Sequence, residues 1–387
     1  MRYFVPVLFM YSSVASAQIP GLEPEKQWSL GGYIKYMPSY SIVDDGPDRS
    51  DQLIHQRFNF EYRFKSKTRV NVGVRNRIFQ GDSVEQPLFS KLVSKDYGYI
   101  DLSKNWYENR NTIANSQIDR LSLTHNKEDW QIRAGRFRVN WSMNTIWNPN
   151  DVFNTYSVYD FDYQEKPGTD AFSLSKQLGY ASQFDVVYHP KSDSTSDSWA
   201  LRYLHNQSGW DIQLIGGQAY EDNILGMGAA GDRFGAGLRA EISHFMPHNS
   251  AGNSDEKNNT VISTEADYSF GGEYNLSVRG AYLYVKQPQE PTNAAVYLNL
   301  PLTAKTLSFT RHTIYSELNF DTSALNKVSL AGIYYQESSY YLSLTDTYSL
   351  ANDWQLIGII QRYSGKDDSL FGKSRSTLLY LQIRWDF

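Results

Sequence analysis

Thr377-Leu378-Leu379-Tyr380-Leu381-Gln382-Ile383-Arg384-Trp385-Asp386-Phe387 is the stretch that decides the fold of this 387-residue chain. As an extended strand it puts Leu379, Leu381, Ile383, Trp385 and Phe387 on one face. Tyr380, Gln382, Arg384 and Asp386 fall on the other. Period-two alternation of this kind sets one face against an apolar medium and the other against water. An ordinary edge strand reads the same way, but few soluble domains end flush on one.

The opposite end agrees. Met1 and Arg2 make a short positive start, residues 3–14 are an apolar stretch, and Ala15-Ser16-Ala17 is a small-x-small cleavage site. That order predicts a signal peptide over residues 1–17 and a mature chain starting at Gln18. The stretch is too short to span a membrane as a helix, and it contains Pro6. Secretion by this route leads to the bacterial cell envelope. There the final Phe387, with Trp385 two residues before it, resembles the closing strand of Gram-negative outer-membrane β-barrels. The resemblance covers that whole class. It implies residence in the outer membrane, contact with lipid and lipopolysaccharide, and recognition by the barrel-assembly machinery through this strand.

Composition points the same way. The chain has no cysteine, so neither a disulfide nor a thiol site is available. Beyond the leader no run of about eighteen apolar residues occurs, and mean hydropathy is negative. A membrane protein with so polar an average must be a barrel, in which apolar and polar residues alternate. Aromatics make up 15% of the residues, with 29 Tyr and 9 Trp, which suits the girdles of a barrel. A formal charge of −5 argues against nucleic-acid binding.

Alternation and turn residues mark strands at 27–41, 53–64 and from Val70 to Ile78, then a long polar loop over 80–115. A hairpin turns at 126–129, and a second long loop covers 140–168. Strands follow at 169–177, 182–188, 199–204, 210–220, 223–230, 234–245, 261–270 and 274–285. After a Pro- and Asn-rich loop at 286–305 come 307–320, 328–335, 341–350, 354–361 and 377–387. The expected architecture is one all-β domain over residues 18–387, an antiparallel transmembrane barrel of about eighteen strands, with both termini periplasmic. The count falls to sixteen if the two weakest segments, 169–177 and 223–230, are not strands. Hydrocarbon offers no partner to backbone N–H and C=O groups, so the sheet must close. At this size wall side chains alone do not fill the interior. A soluble propeller would need repeats of about forty residues, and none is visible.

The faces opposite the apolar ones carry Arg57, Arg63, Arg69, Arg75, Arg77, Arg120, Arg133, Arg136 and Arg138. Arg136 and Arg138 keep the parity of Ile132 and Ala134, so they reach the lumen only if a bulge follows Gly135. One reading is an arginine ladder that favours anionic solutes. The other is that these arginines pair with lumen carboxylates such as Glu61, Asp119, Glu265, Asp267 and Glu317 and stiffen the wall.

Gly135-Arg136, Trp141 and the run from Trp147 through Asn148-Pro149-Asn150-Asp151-Val152-Phe153 to Asn154 are similar to a segment in a broad group of proteobacterial outer-membrane barrels. Some of these are likened to porins or polysaccharide-export channels. Phe137 stands where that group commonly has Gln, and Ser142 where it often has Gly. Trp141, Trp147, Asp151, Phe153 and Tyr156 form the candidate constriction loop. Its aromatics either fold inward, where they would suit saccharides, or anchor the rim.

Catalytic signals are weak. No G-x-S-x-G motif occurs. The tail from Tyr363 to Leu370 looks faintly like a late loop of outer-membrane phospholipases, without the Asn-Ser and following His of their site. His312 and Ser316 share a strand face about 13 Å apart, too far for a hydrogen bond. No cofactor is implied, and no His pair stands at metal-ligand spacing. The acidic cluster Asp44, Asp45, Asp48 and Asp51 reads as a solvated loop. The few residues between Gln18 and Trp28 leave no room for the plug of an energised transporter. The expected function is therefore a passive, porin-like channel for small hydrophilic solutes, anionic ones or saccharides, and not an enzyme. The alternative is a barrel with an occluded lumen, a lipid hydrolase or a surface or structural protein.

Overall fold

Where apolar and polar residues alternate the backbone is extended, and where the alternation fails the chain turns or folds inward. The computed structural model describes residues 26–65, 67–155, 159, 165–191, 197–247, 257–299 and 303–387. The expected leader at 1–17 and the candidate constriction residue Tyr156 lie outside the described residues. Strands β1 (Trp28–Val43), β2 (Arg49–Arg63) and β3 (Thr68–Gly81) come first. Helix α1 (Phe89–Ser94) and strand β4 (Ser103–Glu108) lie in the next connection, before the hairpin of β5 (Thr112–Lys127) and β6 (Trp130–Phe137). Then follow β7 (Thr169–Gln177), β8 (Ser182–His189), β9 (Ser198–Gln207), β10 (Trp210–Ala219) and β11 (Asp222–Arg233). Strands β12 (Ala236–Pro247), β13 (Asn259–Gly271) and β14 (Leu276–Val285) lead to helix α2 (Ala294–Asn299). The last are β15 (His312–Ser323), β16 (Asn326–Tyr335), β17 (Ser339–Ala351), β18 (Trp354–Gly365) and β19 (Ser376–Asp386).

Eighteen of these strands form a closed antiparallel barrel, and β4 pairs with β5 alone. The seam runs from Tyr33 opposite Asp386 to Val43 opposite Ser376. Gly32 and Phe387 finish it by exchanging two backbone hydrogen bonds of 3.0 Å each. The two weakest expected segments are both strands, β7 and β11. At one end the connections are two to four residues long, and both ends of the described chain lie there. The long connections all lie at the other end.

Two expectations need correcting. The connection at 80–115 is not an unstructured polar loop, because it holds α1 and β4. Strand β6 leaves the wall after Phe137, so residues 113–117 of β5 would have an open edge, and β4 pairs with it. The strand expected from residue 307 begins only at His312. Leu307 and Phe309 instead turn inside, where Phe309 stacks on Tyr335 at 4.4 Å and meets Phe371 edge-on at 5.7 Å.

The outer wall is a band of exposed apolar side chains, among them Ile54, Leu123, Phe172, Leu225, Leu342 and Leu381. Aromatics flank it at the short-turn end: Trp354 stacks on Trp385 at 6.1 Å, and Trp385 leans on Phe387 at 5.3 Å. Inside, a continuous apolar core runs from Phe137 and Trp141 to Tyr363 and Phe371 and fills part of the interior.

Candidate functional site

The arginines cluster because β2, β3, β5 and β6 are neighbours and alternate in phase. Arg57 is 1% exposed and grips Asp119 with both terminal nitrogens, at 2.6 and 3.0 Å. Asp119 is the extra residue of a bulge in β5, where the pairing jumps from Gly73–Arg120 to Val74–Ile118. The bulge also brings Arg120 inside, where it donates to the Lys166 carbonyl. Arg75 donates to Gln117, and Arg77 to Asn115 and to the Val93 carbonyl, at 3.1 Å each. Arg133 is held by Thr124 at 3.2 Å and Gln131 at 3.3 Å. Arg63, near the short-turn end, pairs with Glu61 at 2.6 Å. Arg69 stands in register between Arg63 and Thr124.

Arg136 depends on one backbone torsion. Gly135 has φ +109°, a region that L side chains rarely adopt, and a Cβ there would fall 2.2 Å from the Leu121 carbonyl. The turn swings Arg136 inward. Its guanidinium donates to Asp170 at 2.7 and 2.9 Å, to Asp96 at 2.6 Å, and to the carbonyls of Ile100 and Ile118 at 2.6 and 3.1 Å. Arg136 therefore ties the α1–β4 connection to the wall where β6 departs. Arg138, beyond the strand, reaches Asn140 at 3.1 Å and Asp151 at 3.5 Å.

From Arg138 the chain turns into the barrel and crosses it along the inner wall. Gln213 of β10 donates to the Trp141 carbonyl at 2.8 Å. Glu241 of β12 accepts the backbone N–H groups of Met143, Asn144 and Asn150, the last two at 2.8 and 3.0 Å. Glu265 of β13 accepts those of Thr145 and Ile146 at 2.7 and 3.1 Å, and the Thr145 hydroxyl at 2.6 Å. Gly226 and Gly228 of β11 make this approach possible, since a Cβ at either would meet Asn150 or Met143 at about 3 Å. Trp147 ends edge-on to Tyr315 of β15, 6.2 Å away and half the barrel's circumference from β6.

Trp141, Trp147, Asp151 and Phe153 are thus buried inside the barrel, away from the lipid-facing rim. Their rings are committed to protein neighbours: Trp141 to Phe153 and the Arg202 guanidinium, Trp147 to Tyr315, Phe153 also to His189. The loop's last residues reach the opposite wall, where Glu165 accepts from Tyr33 at 3.3 Å and lies 3.7 Å from Arg57.

Between the inner loop and the basic wall lies a cavity of about 570 Å³. Arg75, Arg77, Lys95, Lys166 and Lys191 line it with Phe153, Asn154 and Tyr220. Its two carboxylates, Asp96 and Asp119, are engaged by Arg136 and Arg57 at 2.6 Å each. Burial and the nearby Arg138 lower the Lys166 ammonium to a pKa of about 7. Burial raises the Asp151 carboxyl to about 6, against the pull of Arg138. Lys95, Lys166 and Lys191 escape a reading based on strand faces because each sits in a connection. The one signal for them is position, since Lys166 and Lys191 lie within three residues of a strand end.

The expected lumen carboxylates of the far wall are paired too. Arg239 bonds Glu265 and Asp267, and Arg279 bonds Glu317 at 3.2 Å. The loose triad does not form: His312 bonds the Tyr282 hydroxyl at 2.7 Å, while Glu317 points to Arg279.

No protein-family model matches the sequence, and neither does any curated protein. Solved structures do match in fold. Pseudomonas aeruginosa OpdQ superposes with a TM-score of 0.57 at 7% identity, over 94% of this chain and 99% of that one. The outer membrane protein OprD of the same organism gives 0.54 at 10% identity, over 93% of each chain. OpdK, solved with vanillate, gives 0.56 at 7% identity, over 92% and 98%.

Proposed function

We propose that this chain is a passive channel in the outer membrane of a Gram-negative bacterium, one that passes small hydrophilic anions. Both termini then lie on the periplasmic side, the long connections face outward, and the aromatic-flanked apolar band meets lipid and lipopolysaccharide. The band and the closed seam support the membrane setting, because no backbone edge of the wall is left open to hydrocarbon. The observation that carries the solute class is the cavity between the basic wall and the inner loop. Six cationic side chains line it, Arg136 among them, while both of its carboxylates are already held, Asp96 by Arg136 and Asp119 by Arg57. Surplus positive charge in a narrow, low-dielectric passage raises the local concentration of anions and speeds their entry. Arg75 and Arg77 present planar donors that suit carboxylate or phosphate.

Saccharides are the weaker reading, since Trp141 and Trp147 have their faces occupied by protein. A hydrolase has no assembled nucleophile and base at the one grouping the sequence offered. Purified protein in planar bilayers under a salt gradient tests the proposal. Discrete conductance steps with a zero-current potential of the anion-selective sign are expected. Cation selectivity would refute the solute class, and absence of steps would favour an occluded barrel.

A further inference from the structure

On its lipid side, the wall of β2, β3 and β5 carries a row of polar side chains. Gln56 stands opposite Asn76, and Asn76 opposite Ser116. All three point outward, by the alternation that buries His55 and Arg57 on β2 and Asn115 and Gln117 on β5. They are bonded in series. Asn76 Nδ2 donates to Gln56 Oε1 at 3.3 Å, and Ser116 Oγ donates to Asn76 Oδ1 at 2.6 Å. Trp106 of β4 donates its indole N–H to Ser116 Oγ at 3.1 Å. Along the strands the wall is apolar on both sides of the amides, with Ile54 and Ile78 toward the long connections and Phe58 and Val74 toward the short turns. The row therefore lies inside the apolar band, one apolar pair, Ile54 and Ile78, below Gln52 and Gln80 on its long-connection side.

A carboxamide has two N–H donors, and Gln56 Nε2 has no partner among the described residues. Hydrocarbon offers it no acceptor, so lipid is an unfavourable neighbour for this patch. We propose that the outer face of β2, β3 and β5 is the surface through which two copies of this chain pack together in the membrane. The occupant must sit at bilayer depth, present a flat apolar wall and bring hydrogen-bond acceptors, and a second copy does all three. Carboxamides are self-complementary, and two-fold packing would set Gln56 and Asn76 of one copy against the same pair of the other. The three residues of the row are uncharged; the cation beside them is the exposed Lys104 of β4, opposite Ser116, and an ammonium at this depth likewise gains from acceptors on a second copy. The exposed Trp106 and Tyr107 of β4 extend the same patch toward the long connections.

The absence of cysteine allows a clean test. Val74→Cys sits beside the row, and Ile262→Cys on β13 faces outward on the far side of the barrel. In native membranes treated with an oxidant or a short bis-maleimide, V74C should run as a dimer on non-reducing gels and I262C as a monomer. Adding Gln56→Leu with Asn76→Leu to V74C should cut the dimer yield several-fold. The heat-dependent gel shift of a folded barrel should persist, and single-channel conductance should stay unchanged because both residues lie outside the lumen. Monomeric V74C, equal cross-linking at both sites, or a dimer yield indifferent to the leucines would overturn the proposal.

Discussion

At the scale of single residues, two loop groups make the passage sensitive to pH. Lys166 titrates at about 7 and Asp151 at about 6, both through burial. Lys166 is cationic below its pKa and neutral above it, whereas Asp151 is neutral below its pKa and anionic above it. Both changes remove positive charge from the passage as pH rises. The anion-to-cation permeability ratio, read from zero-current potentials, should therefore fall as pH increases from below 6 to above 7. Lys166→Arg should remove the part of that fall near pH 7 and leave the Asp151 part near pH 6, because guanidinium stays charged throughout. Arg136 makes a second, structural prediction. It is 3% exposed, and its hydrogen bonds to two carboxylates and two carbonyls close the gap that β6 leaves. Arg136→Ala leaves Asp96 and Asp170 without their cation and should cost about 3–5 kcal/mol. Thermal unfolding in detergent, followed by circular dichroism or by the gel shift, would show the loss. Arg136→Lys should restore little of it, since an ammonium cannot span all these acceptors.

At the scale of elements, the inner loop is an insertion whose position is set by the wall it lies on. Glu241 and Glu265 take up backbone N–H groups of residues 143–146 and 150, groups that would otherwise be buried without acceptors. Each hydrogen bond to a charged acceptor contributes about 1.5–3 kcal/mol. Glu241→Ala together with Glu265→Ala should release the loop from β12 and β13. Single-channel records should then show larger and noisier conductance steps than wild type. Little of this was legible in the sequence. The Trp141–Phe153 run marked a loop with inward or rim-bound aromatics, but its path depends on partners about a hundred residues away. Gly226 and Gly228, inside the weak segment 223–230, are places where loop and wall come within contact that no Cβ would allow. The lysines of the cavity left no periodic trace, because connections carry none.

At the scale of the whole molecule, the architecture was legible because alternation is enforced strand by strand. The face expected to be apolar at Leu381, Ile383 and Trp385 is the exposed outer face, and Gln382 on the other face is buried inside. What alternation cannot show is a strand outside the ring, such as β4, or a segment like Leu307–Phe309 that leaves the wall to fill the interior. It also misses a backbone torsion such as that of Gly135, which reverses the parity of Arg136. Closure itself rests on the last strand. Residues 376–386 of β19 are in register with β1 on one side, apart from Leu381 and Gln382, and with β18 on the other, apart from Asp386, and Phe387 exchanges its two bonds with Gly32. Removing residues 385–387 would leave the start of β1 with unpaired groups at membrane depth, each costly to bury in hydrocarbon. It would also remove the aromatic that Phe58 meets edge-on at 5.8 Å and the stacking partner of Trp354. The truncated chain should therefore reach the membrane fraction in a heat-shifting, protease-resistant form far less often than wild type. Phe387→Ala, which keeps both seam bonds and loses only the ring, should retain most of the folded yield. If the truncation assembled as well as wild type, closure through β1 and β19 would not be what makes the wall stable.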